Sequence, residues 1–384
     1  MEPQKILSYY PSYSILDEIV SYGNGKYKNL NIFIDLKNAL QALYMKDTIQ
    51  NIIDLSNIPY NIDDKEDTSI FVSIVSFIAF HKMYSLKRDL NLNMYFFMES
   101  GESTYHTQID KYYKFRRKLS NIHGLSKNDR HTFFRVLRSN LSLVNSACNY
   151  MPNIHVFYLE NMEADFIPYY LIKRKLVNLE NTANIIYSND HDLYQCLDDD
   201  VYIFSKVYKN KKILRKGQAI KQYLKADNVD DNYLPLIMAI LGDPGDDVKG
   251  VDGIGKKIVI DVIEDVVKMV GGMEKLYENL ENIQNKKIFL NPIPPEKIEN
   301  KYLKKIIENE DLIIKNLKLV SFEVISRNFE SPKNSIMNKR QLYIKNILEN
   351  KIKSNLEKMR GSLNKAKIFL QENELEYIFY NGDK

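Results

Sequence analysis

Residues 241 to 257 read Leu241-Gly242-Asp243-Pro244-Gly245-Asp246-Asp247-Val248-Lys249-Gly250-Val251-Asp252-Gly253-Ile254-Gly255-Lys256-Lys257. This stretch places four carboxylates, five glycines and three lysines between two apolar runs, 234 to 241 and 258 to 267. Glycine lets the backbone turn tightly and approach a phosphate closely, and the first N–H groups of the helix predicted from Lys256 would point at that anion. A turn of this kind contacts nucleic-acid backbone and not base sequence.

Glycine-rich turns also join helices without any ligand, so the glycines alone allow an ordinary structural loop. Asp243 and Asp246 favour a binding site, because capping a helix needs only one short acid. We therefore expect a hairpin that binds DNA backbone beside a metal site. The residues predicted to contact DNA there are Gly250, Gly253, Gly255, Lys256 and Lys257.

The composition indicates a globular protein. Of its 384 residues 44% are hydrophobic, which suffices for the core of one large domain or two lobes. The net charge of +4 is small for this length, so nucleic acid would be bound by local basic patches. Cys148 and Cys196 lack zinc-ligand spacing, which predicts reduced thiols in a cytoplasmic protein. The most apolar run, 68 to 80, is too short to span a bilayer, and residues 1 to 8 contain no signal-peptide core, so no membrane partner is expected.

Four short apolar runs, 31 to 35, 94 to 99, 154 to 159 and 185 to 188, each end in acids or lead into them. With helical stretches between them, they predict an α/β fold with a mainly parallel central sheet flanked by helices. The C-terminal ends of parallel strands lie on one edge of a sheet, so the runs would bring their acids together. These acids are Asp35, Glu99, Glu163, Asp165, Asp190 and Asp192.

One such acid would have an ordinary explanation, since Asp and Glu cap the helix that follows a strand. Six of them, joined by Asp243 and Asp246, would repel one another unless cations lay between them. We therefore predict a divalent-metal cluster. Oxygen ligands without paired Cys or His favour Mg²⁺ or Mn²⁺ over Zn²⁺, and two such ions close together are a standard device for hydrolysing a phosphodiester.

The interval from 106 to 153 is rich in bases and aromatic residues, most densely at 111 to 118. A charge run is usually a solvated helix face. Here acids are scarce and aromatic residues alternate with bases, which is the composition expected where a single strand stacks and is neutralised. Because Lys114 and Arg117 are three residues apart, they would share a helix face. We predict a substrate-gripping helix that presents Tyr113, Lys114, Arg116 and Arg117.

The remaining polar residues indicate no other chemistry. His191 is predicted to be a structural or surface residue, and the other histidines, His106 included, form no ligand pattern. No Ser-His-Asp arrangement, Cys-His arrangement or phosphate-binding P-loop is recognisable. The basic segment 206 to 216 predicts an exposed hairpin or loop that either touches a phosphate or is simple surface.

Four motifs together resemble the 5′-nuclease superfamily of flap endonucleases and 5′–3′ exonucleases, especially the stand-alone enzymes of bacteriophages. Residues 188 to 195 are similar to the family's Ser-x-Asp-x-Asp-Leu-x-Gln, and residues 162 to 165 to its Glu-Ala-Asp element. Residues 242 to 255 are similar to its helix–two-turn–helix, which binds duplex backbone and often holds K⁺. Tyr113-Lys114-x-x-Arg117 is similar to the Tyr-Lys-x-x-Arg of its helical arch or gateway. The match runs from about residue 28 to about 325.

The resemblance implies a PIN-like nuclease core, two Mg²⁺ or Mn²⁺ ions, a metal-activated water, and cleavage where a single-stranded 5′ flap meets duplex. Lys114 and Arg117 would be catalytic, because they would stabilise the charge that develops on the scissile phosphate. The implied partners are branched or flapped DNA and, during primer removal, an RNA–DNA hybrid, bound by a monomer that has an unidentified replisome partner. The implied metal ligands are Asp35, Glu99, Glu163, Asp165, Asp190, Asp192 and Asp243, with Asp246 as an outer member.

Three positions depart from the family pattern. Glu99 stands where the family usually has Asp, and Asp247 replaces the usual Asn after Asp246. Phe166 replaces the second acid of the Glu-Ala-Asp-Asp found in bacterial and phage members, although eukaryotic relatives also lack that acid. None of these changes removes a ligand common to all branches, but together they leave room for an altered metal preference or weak activity.

The implied organisation has four parts: an N-terminal arm, 1 to 27; a nuclease core, 28 to 205, with the arch at about 106 to 150; a helix–two-turn–helix lobe, 206 to 330; and a helical extension, 331 to 384. The leading hypothesis is a metal-dependent 5′ nuclease of DNA replication or repair, working in the bacterial host cytoplasm if it is viral. One alternative is a catalytically silent protein that binds branched DNA. Another is a junction resolvase of the same superfamily.

Overall fold

A computed structural model of the chain describes residues 25–35, 91–97, 103–116, 154–157, 162–207, 210–281, 287–289 and 298–330. Glu99, Arg117, most of the predicted arch, residues 1 to 24 of the predicted arm and the extension from 331 to 384 lie outside the described residues. The division into arm, core, lobe and extension stays a prediction.

The centre of the described chain is a six-stranded sheet. Its strands are β1 (Asn29–Asp35), β2 (Asn91–Phe97), β3 (Ile154–Phe157), β4 (Thr182–Tyr187), β5 (Val201–Val207) and β6 (Asn210–Leu214). Their spatial order is β3-β2-β1-β4-β5-β6; the first five run parallel, and β6 is antiparallel to β5. The predicted α/β fold with a mainly parallel sheet is confirmed, and the predicted hairpin in the basic segment is the pair β5 and β6.

The strands at the middle of the sheet are buried and lack a polar alternation along their length. In β1 the five central residues are all buried, and β4 is buried along its whole length. Strands of a parallel sheet are covered on both faces, so their sequences lack the alternation of a half-exposed strand. The structure extends the predicted runs toward their N-terminal ends, because β1, β2 and β4 begin at Asn29, Asn91 and Thr182.

Asparagines cross the early part of the sheet as a hydrogen-bonded row. Asn31 lies opposite Asn93 on one side and Asn184 on the other. The Asn31 amide donates to Asn184 Oδ1 at 2.9 Å and to the Asn178 carbonyl at 2.9 Å, while Asn93 donates to Asn31 Oδ1 at 3.3 Å. A shift of one residue would break this row and leave buried amide groups without partners, so the row specifies the register of three strands.

The C-terminal part of the described chain is helical. Ahead of it lie α1 (Thr104–Ile109) and α2 (Phe166–Lys173). The later helices are α3 (Ala219–Leu224), α4 (Leu234–Leu241), α5 (Lys256–Val270), α6 (Met273–Glu281), α7 (Lys301–Glu308), α8 (Glu310–Val320) and α9 (Phe322–Glu330). None of these described helices combines the length and the apolarity that crossing a membrane requires.

Helix α4 forms the centre of this helical part. It is apolar on every side and buried from Leu234 to Ile240, as expected of a helix enclosed by its neighbours. Helix α8 packs against it and contributes the buried Asn316. The Asn316 amide donates to the carbonyls of Ala239 and Lys249 at 2.8 Å each. One side chain thus joins the end of α4 to Lys249, inside the glycine-rich stretch 241 to 257.

We expect Asn316→Ala to lower the free energy of unfolding by roughly 2–4 kcal/mol, because it leaves two buried carbonyls without their donor. Denaturant unfolding followed by circular dichroism would measure the change. Glu308→Ala, at an exposed position on α7, is the matched control and should alter stability by less than about 0.5 kcal/mol. Equal stability of the two variants would contradict this role of Asn316.

Candidate active site

The C-terminal ends of the parallel strands bring the predicted acids to one edge of the sheet. β1 ends at the half-buried Asp35, which lies opposite Phe97, the last residue of β2. β4 ends at Tyr187, and the chain then passes directly into Asp190 and Asp192. The position of Glu99 lies outside the described ranges.

Local capping explains only some of these acids. Asp190 Oδ1 accepts the backbone N–H of Asp192 at 3.1 Å, and Asp243 Oδ1 accepts that of Gly245 at 2.7 Å. Asp165 precedes α2 but makes no side-chain capping bond there. Because Asp165 is not used to cap the helix that it precedes, simple capping does not account for the cluster.

The acids form a single electrostatic cluster. Burial raises the pKa of the Asp165 carboxyl well above its ordinary value. The neighbouring carboxylates of Glu163, Asp190 and Asp192 raise that pKa further. Burial likewise raises the pKa of Asp192, with further contributions from Asp190, Asp246 and Asp243. Like charges held this closely bind protons or cations readily.

Lys114 places a positive charge inside this cluster. Its Nζ lies 2.5 Å from Glu163 Oε1 and 3.3 Å from Asp246 Oδ2. Tyr113 reaches the same two acids, with its hydroxyl 2.9 Å from Glu163 Oε2 and 3.2 Å from Asp246 Oδ2. Burial favours the protonated form of Glu163, but Lys114 holds its pKa below the ordinary value. Burial opposes the charge on Lys114, yet Glu163 and Asp246 raise the pKa of the ammonium above its ordinary value.

The glycine-rich stretch folds as a short hairpin of β7 (Gly242–Asp243) and β8 (Val248–Lys249), followed by the start of α5. Gly250 is packed so tightly that a Cβ there would lie 2.0 Å from the Leu241 carbonyl oxygen. The space on the Cβ side of Gly250 is filled by the protein itself, so packing requires glycine there, and the contact of Gly250 with a phosphate stays a prediction. Gly253 and Gly255 are exposed, and Gly255 immediately precedes α5.

A cleft of about 560 Å³ joins the acids to the N-terminus of α5. Asp190, Asp192 and Asp243 line one part of it, and Gly255 and Lys256 line another. The first N–H groups of a 15-residue helix therefore lie in the same cleft as the acids. Such a helix start attracts a phosphate, whereas the acids attract cations, so the cleft suits a phosphate group bridged by metal ions.

The side walls of this cleft are aromatic. His191 is exposed, as predicted, and its ring meets those of Tyr194 and Tyr223 edge-on at 5.2 and 6.0 Å. Lys256 donates to the Tyr223 carbonyl at 3.1 Å, and its Nζ lies 5.0 Å from the centre of the Tyr223 ring. Lys257 is exposed on the first turn of α5.

Known proteins resemble the chain in sequence and fold. It is 28% identical over 134 residues to a 5′-3′ exonuclease of Aquifex aeolicus, a match that covers 35% of this chain and 42% of that relative. It is 25% identical over 276 residues to the flap endonuclease of Escherichia phage T5, which covers 70% of this chain and 81% of the phage protein. The chain thus spans less than half the length of the Aquifex relative. No protein-family model matches.

Solved structures show the same fold. The T5 D15 protein co-crystallised with metal ions has a TM-score of 0.55 and 19% identity, and the likeness covers 84% of this chain and 99% of that one. A T5 D15 pseudo-enzyme-product complex with DNA and metal ions also has a TM-score of 0.55, with 18% identity and coverage of 84% and 98%. The resemblance to the 5′-nuclease superfamily is confirmed. The sheet and hairpin described above are therefore parts of a 5′-nuclease fold.

The acids of this 5′-nuclease fold suit a hard cation, since all their donor atoms are carboxylate oxygens. Within the described residues, no three Asp, Glu, His or Cys side chains lie close enough together to hold one ion. The ammonium of Lys114 lies between Glu163 and Asp246, the space that a cation would share. The described acids that would hold metal ions are Asp35, Glu163, Asp165, Asp190, Asp192, Asp243 and Asp246, and their role as ligands stays a prediction.

The backbone around Lys114 differs from the predicted gateway helix. Residues 111 to 114 form a turn, and Lys114 has a left-handed backbone with φ of 54°. Asp110 Oδ1 accepts the N–H of Tyr112 at 2.9 Å, and the Asp246 carbonyl accepts the N–H of Lys114 at 2.9 Å. These bonds use backbone groups that a continuous helix would need, so the prediction that Lys114 lies on a helix is wrong. Arg117 falls outside the described part of the chain.

Arg116 ties this turn to the hairpin of the 5′-nuclease fold. Its backbone N–H donates to Asp247 Oδ2 at 2.8 Å, its Nε pairs with Asp247 Oδ1, and its Nη2 donates to the Pro244 carbonyl at 3.0 Å. The Arg116 side chain is 71% exposed, so its predicted contact with DNA is still sterically open. Asp247, a departure from the family pattern, thus serves as a structural partner of the gateway residue.

His106 is a buried residue whose role the sequence did not indicate. Its Nδ1 lies 2.6 Å from Ser103 Oγ and its Nε2 lies 3.1 Å from the Leu319 carbonyl on α8. The ring stacks on Tyr113 with centroids 4.7 Å apart. His106 therefore holds Tyr113 against the acids. Only the long-range contact with α8 shows this role, and no spacing along the chain could have predicted it.

We expect Gly250→Ala and Gly255→Ala to separate folding from DNA binding. Gly250→Ala should destabilise the protein by more than about 3 kcal/mol, because its Cβ would overlap the Leu241 carbonyl. Gly255→Ala meets no atom within 4 Å and should leave thermal stability nearly unchanged. If Gly255 approaches a phosphate, Gly255→Ala will bind duplex DNA more weakly and still retain the fold. Gly250→Ala will lose stability instead. Thermal melts and fluorescence anisotropy would measure both effects.

Lys114→Ala should lower the free energy of unfolding in chelator by about 3 kcal/mol, because it leaves two carboxylates without their ammonium. Mg²⁺ should then raise the Tm of the variant more than that of the unaltered protein, since ammonium and metal ion compete for the same carboxylates. Differential scanning fluorimetry with and without Mg²⁺ would show this. Lys111→Ala, exposed in the same turn, is the control; an equal Mg²⁺ response in all three proteins would contradict the competition.

Proposed function

We propose that the protein is a divalent-metal-dependent 5′ nuclease that hydrolyses phosphodiesters where single-stranded and duplex DNA meet. One observation carries the proposal: three of the predicted acids, Asp190, Asp192 and Asp243, line the same cleft as the N-terminus of α5. The fold of the phage T5 D15 protein and the sequence likeness to a 5′-3′ exonuclease and a flap endonuclease support it. The D15 structures with metal ions and DNA support the choice of cofactor and substrate.

The acids would hold two Mg²⁺ or Mn²⁺ ions, which supply an activated water and neutralise charge on the phosphate. The N–H groups that open α5, with Lys256 beside them, would hold a phosphate of the duplex. Lys114 would exchange its contact with Glu163 for a hydrogen bond to an oxygen of the scissile phosphate. That phosphate oxygen gains negative charge during the reaction, so the ammonium would stabilise it. Tyr113 would keep Glu163 and Asp246 oriented, and Arg117 would assist Lys114.

Several finer features follow from the resemblance. These are removal of RNA primers from an RNA–DNA hybrid, a role in replication or repair, K⁺ at the hairpin, a monomeric state, a replisome partner, and action in the cytoplasm of a phage-infected cell.

The test is cleavage of a 5′-labelled flap duplex in Mg²⁺, Mn²⁺ or chelator. We expect cuts at the flap junction with either metal and none in chelator. The double variant Asp190→Asn, Asp192→Asn should cut more than about 100-fold more slowly, since groups that merely orient metal ligands are already worth 10- to 100-fold. Glu264→Gln, on the exposed face of α5, is the control for loss of carboxylate charge. Cleavage by the double variant at the unaltered rate would refute the proposal.

A second candidate is a protein that binds branched DNA without cutting it. Phe166, at the position of the extra family acid, is 1% exposed and packs its ring against Tyr170 and Phe322. That position therefore belongs to the core and supplies no ligand. Tight binding of the flap duplex with no product in Mg²⁺ or Mn²⁺ would favour this candidate. Phe166→Asp would place a carboxylate in the core, so we expect it to destabilise the protein.

A further inference from the structure

The turn that carries Lys114 also carries two exposed aromatic rings. Tyr112 is 56% exposed and Phe115 is 44% exposed, and with Leu176 they are the exposed large hydrophobic residues of the described chain. Their rings lie 6.1 Å apart at an angle of 88°. Exposed aromatic rings lose the stabilisation of burial, so a pair of them side by side indicates a surface that another molecule covers.

This aromatic pair, which we call the Tyr112/Phe115 platform, stands on an anchored backbone. The N–H of Phe115 donates to the Tyr112 carbonyl at 3.0 Å, and the N–H of Tyr112 donates to Asp110 Oδ1 at 2.9 Å. Asp110 is itself ion-paired with Lys315 of α8 at 2.8 Å. The platform is therefore fixed before any ligand arrives, which reduces the entropy lost on binding.

Two exposed basic side chains stand beside the platform. Lys111 is exposed, with its Nζ 4.9 Å from the centre of the Tyr112 ring, and Arg116 is exposed on the other side. A single strand of nucleic acid would make two kinds of favourable contact here. Its nucleobases would stack on the rings, and its phosphates would pair with the basic side chains of Lys111 and Arg116.

The platform also lies close to the acids. Tyr112 is two residues before Lys114 and Phe115 is the next residue after it, so each Cα lies within about 8 Å of the Lys114 Cα. The Nζ of Lys114 in turn contacts Glu163. A strand whose phosphate reached the acids would therefore pass the platform with a neighbouring base.

We propose that Tyr112 and Phe115 form a stacking site for an unpaired nucleobase of the single strand that enters the acid-lined cleft. The ligand is a base of any identity, since stacking uses the face common to all bases and not their hydrogen-bonding edges. The proposal rests on the proposed function for the course of the strand, but its test is a binding measurement that requires no cleavage.

The test compares two fluorescent 5′-flap duplexes in chelator, one with a thymine flap and one with an abasic flap of equal length. For the unaltered protein, fluorescence anisotropy should show roughly 10-fold tighter binding of the thymine flap. Tyr112→Ala with Phe115→Ala should abolish this difference and leave binding of the abasic flap unchanged. Tyr112→Phe with Phe115→Tyr keeps two rings and should restore the preference. Leu176→Ala, at the third exposed apolar position, should retain it fully.

Three results would overturn the stacking site. One is equal affinity of the unaltered protein for thymine and abasic flaps. Another is a double alanine variant that still prefers the thymine flap. The third is a double alanine variant that loses affinity for both flaps equally, which would indicate a contact with the backbone or a loss of fold. If the protein prefers the thymine flap but cuts no flap with Mg²⁺ or Mn²⁺, the proposed nuclease activity is refuted and the proposed stacking site is retained.

Discussion

Repulsion between carboxylates is the constraint on which the site depends. A parallel sheet directs its strand ends to one edge, and here those ends supply acids whose charges raise one another's pKa. The ammonium of Lys114 offsets part of that repulsion by lying between Glu163 and Asp246. A cluster of this kind is stabilised by bound protons or cations, and the protein carries a cation of its own on a neighbouring turn.

That turn links the parts of the molecule that would act together. Tyr113 contacts acids of the cluster, Arg116 contacts Asp247 of the hairpin, and His106 contacts the carbonyl of Leu319 on α8. The turn is therefore tied directly to the acid cluster, to the hairpin and to α8.

The hairpin shows how a single motif can serve two purposes. The backbone at Gly250 lies against Leu241 with no space for a side chain, so this glycine is required by packing. Gly255 has open space and precedes the first turn of α5 in the cleft, so packing does not require glycine there, and its predicted contact with a phosphate is sterically open. Both glycines look alike in the sequence, because spacing reports that a turn is tight and does not report what occupies the space beside it.

The sequence by itself determined the fold class, the strand ends that carry Asp35, Asp190 and Asp192, and the hairpin around Asp243. It could do so because apolar runs of strand length and glycine-rich turns depend on neighbours along the chain. Only the tertiary structure decided that Lys114 leaves the helical path to meet Glu163, that His106 contacts the Leu319 carbonyl on α8, and that Asp247 pairs with Arg116. Each of these is a contact between residues separated by many positions, and such contacts depend on how the sheet, the turn and α8 pack in space.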